Sequence, residues 1–271
     1  MLLVIDVGNT NTVIGIYNDK ELVKDWRIRT VNTITEDEFN IIAVNLFTGS
    51  DIKSKDISSI VISCVVPPLV CVLDSFCLKY LGRHPLWVDA KAVNIMPILY
   101  NNPDEVGADR IANSVAAFEK YKTSLIVVDF GTATTFDAVS EDGEYLGGAI
   151  CPGIMISVEA LFLKASKLPR VEIFSHPEKI IGKDTASSIK SGIIYGYAGL
   201  VDGIVRRMKI EMGTAPKVIA TGGVSDLMAD VCDSIEEVEP SLTLEGLRII
   251  YEKIGKGKNN CKRSRNVEIR K

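Results

Sequence analysis

The same short layout occurs twice in this sequence, and it limits the folds that the chain can adopt. In each copy a run of four aliphatic residues, 2–5 in the first and 125–128 in the second, leads into an Asp-x-Gly turn. A second stretch of strand-forming residues follows each turn. Two copies of a strand, a polar turn and a returning strand predict that the chain is duplicated.

The two turns have a composition that suits phosphate binding. They are Asp6-Val7-Gly8 and Asp129-Phe130-Gly131, and aligning the two aspartates places Thr12 on Thr135. Glycine lacks a Cβ, so backbone N–H groups can approach a phosphate, and threonine or asparagine side chains add donors. A carboxylate at a strand end can hold Mg²⁺ through water. One such turn is most simply a tight hairpin, but two in the same context favour phosphate binding.

Other segments predict the elements around these turns. Thr35 precedes an acidic first turn, which indicates a helix start. Pro67-Pro68 closes a continuous apolar run, as expected for a strand buried on both faces. The patterns predict polar turns over 6–11 and 129–135, strands over 21–29, 60–66, 145–150 and 217–220, and helices over 35–47, 109–121, 186–212 and 244–254, with a further helix ending at 81.

A third glycine site follows a late strand. Thr221-Gly222-Gly223 comes after the apolar run 218–220 and places flexible backbone where an adenine or ribose can lie flat. Alone, this pattern is usually a turn, and its order after two phosphate hairpins gives it weight. The sequence contains neither G-x-x-x-x-G-K-[ST], the Walker motif, nor G-x-G-x-x-G, the Rossmann motif. The main sequence evidence for either nucleotide-binding fold is therefore missing.

Asp109 is the best candidate for a general base. Phosphoryl transfer requires a carboxylate that orients the acceptor hydroxyl and takes its proton. Asp109 stands between Gly107-Ala108 and Arg110 at the predicted start of a helix, where small residues give access and the helix N-terminus favours an anion. The structural alternative is that Asp109 only caps the helix and that Arg110 lies on the surface.

Composition narrows the class of protein. The chain has 271 residues, 46% of them apolar, and a formal net charge of −4. A net negative charge does not provide the positively charged surface that binding to a nucleic-acid backbone requires. The start of the chain lacks the pattern of a secretory signal, and no apolar stretch approaches the ~20 residues that span a bilayer. We therefore expect a cytoplasmic protein that binds neither nucleic acid nor membrane.

Seven motifs follow one another in the order found in type III pantothenate kinases, so the chain resembles that family up to about residue 251. Several motifs in the right order are far more specific than any one of them. The motifs are Asp6–Thr12, Gly107–Asn113, Asp129–Thr135, Gly147–Gly153, Ser191–Tyr197, Thr221–Gly223 and Leu242–Leu247.

The resemblance implies an α/β protein with a duplicated actin-like (ribonuclease H-like) fold. Its two lobes would each contain a mixed sheet flanked by helices, with a nucleotide cleft between them. We expect these lobes at 1–117 and 118–255, and a basic, disordered tail at 256–271.

The resemblance also implies a homodimer that transfers the γ-phosphoryl group of ATP to the primary hydroxyl of pantothenate, the first step of coenzyme A synthesis. Mg²⁺ and a monovalent cation, K⁺ or NH₄⁺, would be required.

The motifs also imply roles for individual residues. Asp109 would be the proton acceptor and Asp6 would lie near Mg²⁺. Asp129 would hold the monovalent cation, although a carboxylate in that position can equally serve Mg²⁺ through water. The residues implied to contact ATP are Asp6, Val7, Gly8, Asn9, Thr10, Asn11, Thr12, Val13 and Thr132. Those implied to contact pantothenate are Tyr100, Gly107, Ala108, Asp109, Arg110 and Thr185.

Two other functions fit parts of the same pattern. A regulatory protein can keep the nucleotide fold without turnover, but nothing in the sequence resembles a DNA-reading helix with a basic face. A kinase of the same superfamily that acts on a sugar or a short carboxylic acid would keep the fold and change the acceptor. The identity of the acceptor thus depends on the family resemblance, because the fold constrains ATP handling more tightly than acceptor choice.

Overall fold

A computed structural model describes residues 1–89, 95–165, 167–173 and 175–254. Within these residues the chain divides into two compact units. The first comprises Met1–Pro97, Asn101–Ala116 and the chain from Thr243 onward, and the second comprises Ile98–Tyr100 and Ala117–Leu242. The predicted tail over 256–271 lies outside the described residues. Within the described ranges, no helix combines the length and the apolar character that crossing a membrane requires.

The first unit is built on a mixed sheet of five strands. Strand β1 lies at its centre, antiparallel to β2 on one side and parallel to β4 on the other, and the strand order is β3-β2-β1-β4-β5. The strands are β1 (Leu2–Val7), β2 (Asn11–Asn18), β3 (Glu21–Arg29), β4 (Ser59–Cys64) and β5 (Leu86–Trp87), and the helices between them are α1 (Glu36–Thr48) and α2 (Pro67–Leu81).

One face of this sheet packs on α1 and α2. Leu3, Ile5 and Val7 alternate along β1 toward that face, as the two-residue period of a strand requires. The rings of Phe39 in α1 and Phe76 in α2 meet edge to face at 4.9 Å. Thr35 and Glu38 cap the start of α1 reciprocally, which confirms the predicted helix start.

The second unit contains another mixed sheet of five strands, ordered β10-β9-β6-β7-β8. Its strands are β6 (Leu125–Phe130), β7 (Ala133–Val139), β8 (Tyr145–Pro152), β9 (Lys217–Gly222) and β10 (Glu237–Val238). The remaining helices are α3 (Ala108–Tyr121), α4 (Ile154–Lys164), α5 (Thr185–Met212), α6 (Ser225–Ala229) and α7 over 242–254.

Each half repeats the same order of strands. Counted within its own half, each sheet reads 3-2-1-4-5, with the first three strands antiparallel and the others parallel to the first. In both halves one face of the sheet is closed by helices through a separate apolar cluster. The predicted duplicated actin-like fold, with mixed sheets flanked by helices, is confirmed.

The two polar turns are shorter than predicted. Strand pairing continues to Val7 and Thr12 in the first hairpin and to Phe130 and Thr134 in the second. The second loop is therefore one residue shorter, and Thr134 is the counterpart of Thr12. The alignment of Thr12 with Thr135 is wrong by one residue, because sequence alone does not show the length of a hairpin loop.

Helix α7 lies in the first unit, whereas the predicted lobe 118–255 includes it in the second. Leu244 reaches the backbone of Gly15 in β2, where a Cβ would lie 2.9 Å from its nearest methyl carbon. The Arg248 guanidinium lies 5.8 Å from the ring centre of Tyr17, also in β2. Apolar and cationic contacts with β2 thus determine where the helix packs.

Gly246 in α7 tests this packing. A Cβ at Gly246 would overlap the carbonyl oxygen of Ala112 in α3, so we expect Gly246→Ala to lower the free energy of unfolding by about 1–3 kcal/mol. The matched control is Gly203→Ala in α5, where the nearest atom, Nη1 of Arg207, is 3.5 Å away. There alanine should stabilise the helix by up to about 1 kcal/mol. Urea unfolding measures both, and an unchanged or raised stability for Gly246→Ala would contradict the close approach.

Candidate active site

The first Asp-x-Gly hairpin is held by hydrogen bonds from its own loop and from the end of β3. The N–H of Gly8 donates to the carbonyl of Asn11 at 3.0 Å. Thr30 donates through its hydroxyl to the Gly8 carbonyl at 2.7 Å and through its N–H to the Thr10 carbonyl at 3.0 Å. The hydroxyls of Thr30 and the buried Thr12 also share a hydrogen bond. Sequence reasoning missed Thr30, because only the pairing of β3 with β2 brings it to the loop.

Asp6 lies on the sheet face opposite to the apolar cluster of the first unit. Helix α7 covers part of that face, since Leu244 lies over Gly15, a residue on the same side of the sheet. Helix α3 packs against α7 at Gly246. Asp6 and the helix that carries Asp109 therefore lie on the same side of the first sheet.

Asp109 lies in the first turn of α3, which begins at Ala108. Its Oδ1 accepts the N–H of Arg110 at 2.8 Å. A Cβ at position 107 would lie 2.5 Å from that same Oδ1, so glycine at 107 leaves room for the carboxylate. Arg110 is only 8% exposed, which contradicts the alternative that places Arg110 on the surface. The Gly107–Arg110 motif therefore forms a compact helix start with a fixed carboxylate.

Cys64 lies beside the first hairpin and remains a neutral thiol. It ends β4, where it pairs with Val7 of β1, and its Sγ donates to the carbonyl of Val66 at 3.2 Å. Burial raises the pKa of the Cys64 thiol, and the negative charge of Asp6 raises it further. A thiol with a raised pKa is a poor nucleophile, so Cys64 is not a candidate nucleophile.

The second hairpin is supported by the end of the Gly147–Gly153 motif. The N–H of Gly131 donates to the Ala133 carbonyl at 3.1 Å, which closes the loop. The N–H of Gly153 donates to the Thr132 carbonyl at 3.1 Å, and a Cβ at Gly153 would overlap that oxygen. Glycine at 153 thus lets the backbone after β8 lie directly against the loop, while Thr132 is exposed at its tip.

The Thr221-Gly222-Gly223 motif, at the end of β9, lies on the other side of the second hairpin. Gly222 has a φ of +97°, and a Cβ there would lie 2.6 Å from Oδ1 of Asp129. The N–H of Gly223 donates to the Phe130 carbonyl at 3.2 Å. Only glycine satisfies both the backbone angle and the approach to Asp129. The structure therefore joins three separately predicted motifs around one hairpin.

The oxygen atoms around Asp6 and Asp129 suit a hard cation that also takes ligands from outside the protein. Thr135 and Thr221 are the strand neighbours of Asp129, so carboxylate, hydroxyl and backbone oxygens lie in one region. Among the described residues, no group of three or more His, Cys, Asp or Glu side chains is placed to hold a metal ion. A cation at Asp6 or Asp129 would therefore need backbone, water or phosphate oxygens, and Mg²⁺ bound with a nucleotide takes ligands of this kind.

Tyr100 and Thr185 belong to the second unit, whereas Gly107–Arg110 belongs to the first. The Tyr100 ring lies 6.4 Å from the ring of Tyr145, centre to centre. Thr185 is the exposed first residue of α5, directly after the helix cap formed by Asp184. The structure thus groups the predicted substrate residues into two sets, one in each unit.

Comparisons with known proteins bear on what this arrangement does. Residues 2–207 match a family model described as type III pantothenate kinase. A type III pantothenate kinase from Desulfatibacillum aliphaticivorans is 63% identical over 254 residues, which cover 94% of this chain and 99% of the relative.

Solved structures agree with the fold. The activator of the 2-hydroxyisocaproyl-CoA dehydratase from Clostridium difficile, with bound ADPNP, has a TM-score of 0.57 at 12% identity, covering 96% of this chain and 97% of that one. An inorganic polyphosphate/ATP-glucomannokinase from Arthrobacter sp. strain KM has a TM-score of 0.51 at 15% identity, covering 93% and 98%. At these identities the likeness establishes the fold alone.

Gly222 tests the geometry of the second hairpin. We expect Gly222→Ala to displace the Asp129 carboxylate and to weaken ATP binding by about tenfold or more. The matched control is Gly213→Ala, which also has a positive φ, +63°, but has no atom within 4 Å of its Cβ position. It should lose about 1 kcal/mol of stability through backbone strain and keep its ATP affinity. Calorimetric titration with ATP compares the two variants. Equal ATP affinities would contradict the expectation that Gly222 keeps the Asp129 carboxylate in the position that ATP binding requires.

Proposed function

Because the chain belongs to the type III pantothenate kinase family, we propose that it transfers the γ-phosphoryl group of ATP to the primary hydroxyl of pantothenate. This reaction is the first step of coenzyme A synthesis. The observation that carries the proposal is 63% identity to a type III pantothenate kinase along almost the whole length of both chains. The seven motifs that resemble this family stand in order along the sequence.

In this proposal Asp109 takes the proton of the acceptor hydroxyl. Its carboxylate is held by the Arg110 N–H at the start of α3, and Gly107 leaves the space that it occupies. A positioned carboxylate can orient the hydroxyl toward the phosphorus atom and accept its proton as the new bond forms. Gly107, Ala108 and Arg110 surround this carboxylate and would contact pantothenate, together with Tyr100 and Thr185.

The first hairpin would bind the phosphates of ATP. Thr30 fixes the loop, so its backbone is already ordered before the nucleotide arrives. The side chains of Asn9 and Asn11 are exposed on this loop, and their amides can donate to phosphate oxygens. Asp6 would hold Mg²⁺ through water, and such an ion would supply positive charge beside the phosphates. Thr132, at the tip of the second hairpin, would contact the nucleotide as well.

Asp129 would hold the monovalent cation, K⁺ or NH₄⁺. The support is chemical: its Oδ1 lies against the Gly222 backbone, and Thr135 and Thr221 flank it on the neighbouring strands. Oxygen ligands of this kind suit a weakly hydrated cation, and they also suit Mg²⁺ held through water. The proposal further includes a homodimer that works in the cytoplasm, with neither nucleic acid nor membrane as partner.

The role of Asp109 can be tested with a conservative variant. Asp109→Asn keeps the shape of the side chain and removes its basicity, so kcat should fall by about 10²–10⁴-fold while ATP affinity is retained. The control is Glu36→Gln, another carboxylate in the first turn of a helix, which should stay within about twofold of the unaltered enzyme. Steady-state kinetics with a coupled ADP assay measure both. Near-normal turnover by Asp109→Asn would remove Asp109 from the mechanism.

The acceptor and the cation can be tested together. ADP release should depend on pantothenate and should not appear with hexoses or acetate, and it should rise when Na⁺ is replaced by K⁺ or NH₄⁺. Asp129→Asn should abolish the response to K⁺ more strongly than the response to Mg²⁺. A hexose or acetate as the preferred acceptor would indicate another kinase of this fold. ATP binding without ADP release from any acceptor would indicate a regulatory protein.

A further inference from the structure

A buried carboxylate lies in the second sheet, outside the residues assigned so far. Asp137 in β7 and Tyr145 in β8 are both 0% exposed. The Tyr145 hydroxyl donates to Oδ1 of Asp137 at 2.8 Å, and the Thr135 hydroxyl donates to Oδ2 at 3.3 Å. A carboxylate is costly to bury unless hydrogen bonds satisfy it. These bonds therefore fix the direction of the Tyr145 side chain as well as that of Asp137.

Tyr145 holds a short segment of chain that contains Tyr100. Ile98 forms a β-bridge with Tyr145, and the N–H of Leu99 donates to the Tyr145 carbonyl at 2.8 Å. The rings of Tyr100 and Tyr145 are inclined at 54° with their centres 6.4 Å apart. Ile98–Tyr100 belongs to the second unit, although the chain on either side of it belongs to the first. The contacts with Tyr145 therefore explain why Ile98–Tyr100 belongs to the second unit.

Gly147 completes the surroundings of the Tyr100 ring. It has a φ of +125°, and a Cβ there would lie 3.6 Å from two ring carbons of Tyr100. The ring therefore lies close to bare backbone on one side and near Tyr145 on another. Its position is set by β8, through the side chain and backbone of Tyr145 and through the backbone of Gly147.

We propose that Asp137 and Tyr145 are positioning residues for the acceptor site: the buried carboxylate orients Tyr145, and Tyr145 holds Tyr100 where it contacts pantothenate. This inference rests on the proposed function, in which Tyr100 is a substrate contact. Neither residue touches the substrate. Tyr145 acts on the reaction through the acceptor, so the effect of Tyr145→Phe separates from ATP binding in the kinetics, whereas Asp137 also accepts the hydroxyl of Thr135 beside Asp129.

Tyr145→Phe removes one hydroxyl and keeps the ring. We expect the KM for pantothenate to rise by about five- to tenfold, and the KM for ATP and kcat to stay within about twofold. The matched control is Tyr17→Phe in the first unit, since Tyr17 is also buried and its hydroxyl bonds Glu245. It should lose similar stability and leave the KM for pantothenate unchanged. An unchanged pantothenate KM in Tyr145→Phe overturns the inference.

A double-mutant cycle tests whether the effect passes through Tyr100. In a Tyr100→Ala background, Tyr145→Phe should no longer change the KM for pantothenate, because the residue that it positions has been truncated. An undiminished effect in that background overturns the positioning role.

Asp137→Asn keeps an acceptor oxygen for the Tyr145 hydroxyl and should retain a lower pantothenate KM than Asp137→Leu. Equal values for the two variants would also contradict it.

A measurement on the unaltered protein covers the case in which a variant does not fold. The Leu99 amide should exchange with deuterium more slowly than the amide of the exposed Asn101, because Leu99 is bonded to Tyr145. Equally fast exchange overturns the inference. Failure of the proposed function looks different: the unaltered enzyme would then show no pantothenate-dependent ADP release. An active enzyme with an unaffected Tyr145→Phe variant overturns the positioning role alone.

Discussion

The parallel pairing of β6 with β9 is the constraint on which the second half of the site depends. Its register sets Asp129 beside Thr221 and Phe130 beside Gly222. The end of β9 then meets the carboxylate so closely that only glycine fits at 222. The first half repeats the arrangement, because β1 pairs with β4 so that Asp6 lies beside Ser63. In both halves a strand that is distant in sequence places the backbone around the hairpin.

Glycine has the same use at three points in the two units. Gly107 leaves space for the Asp109 carboxylate, Gly153 lets the chain lie against Thr132, and Gly222 approaches Asp129. Flexible backbone costs conformational entropy on folding, and at these three positions any larger residue would collide with the neighbouring atoms. The Asp137–Tyr145 pair adds a second device, a buried hydrogen bond that fixes the direction of an aromatic side chain.

The elements that sequence predicted well are those with a local cause. The capping residues Thr35 and Glu38 start α1, and Gly143, with a φ of +80°, forms the predicted turn between β7 and β8. Helix α4 was not predicted, because apolar residues such as Met155 and Leu163 lie on its exposed side and hide the helical period. The two-residue strands β5 and β10 were also missed, since a strand that short is defined only by its partner.

By itself the sequence determined the duplication, the two Asp-x-Gly hairpins, the helix start at Asp109 and the family. Each of these depends on residues that are neighbours in the chain or on motifs in a definite order. Only the tertiary structure decided that Thr134 matches Thr12, that Thr30 holds the first loop, that α7 returns to the first unit and that Tyr145 holds Tyr100. The physical reason is strand register and packing between distant segments, which no local pattern of residues contains.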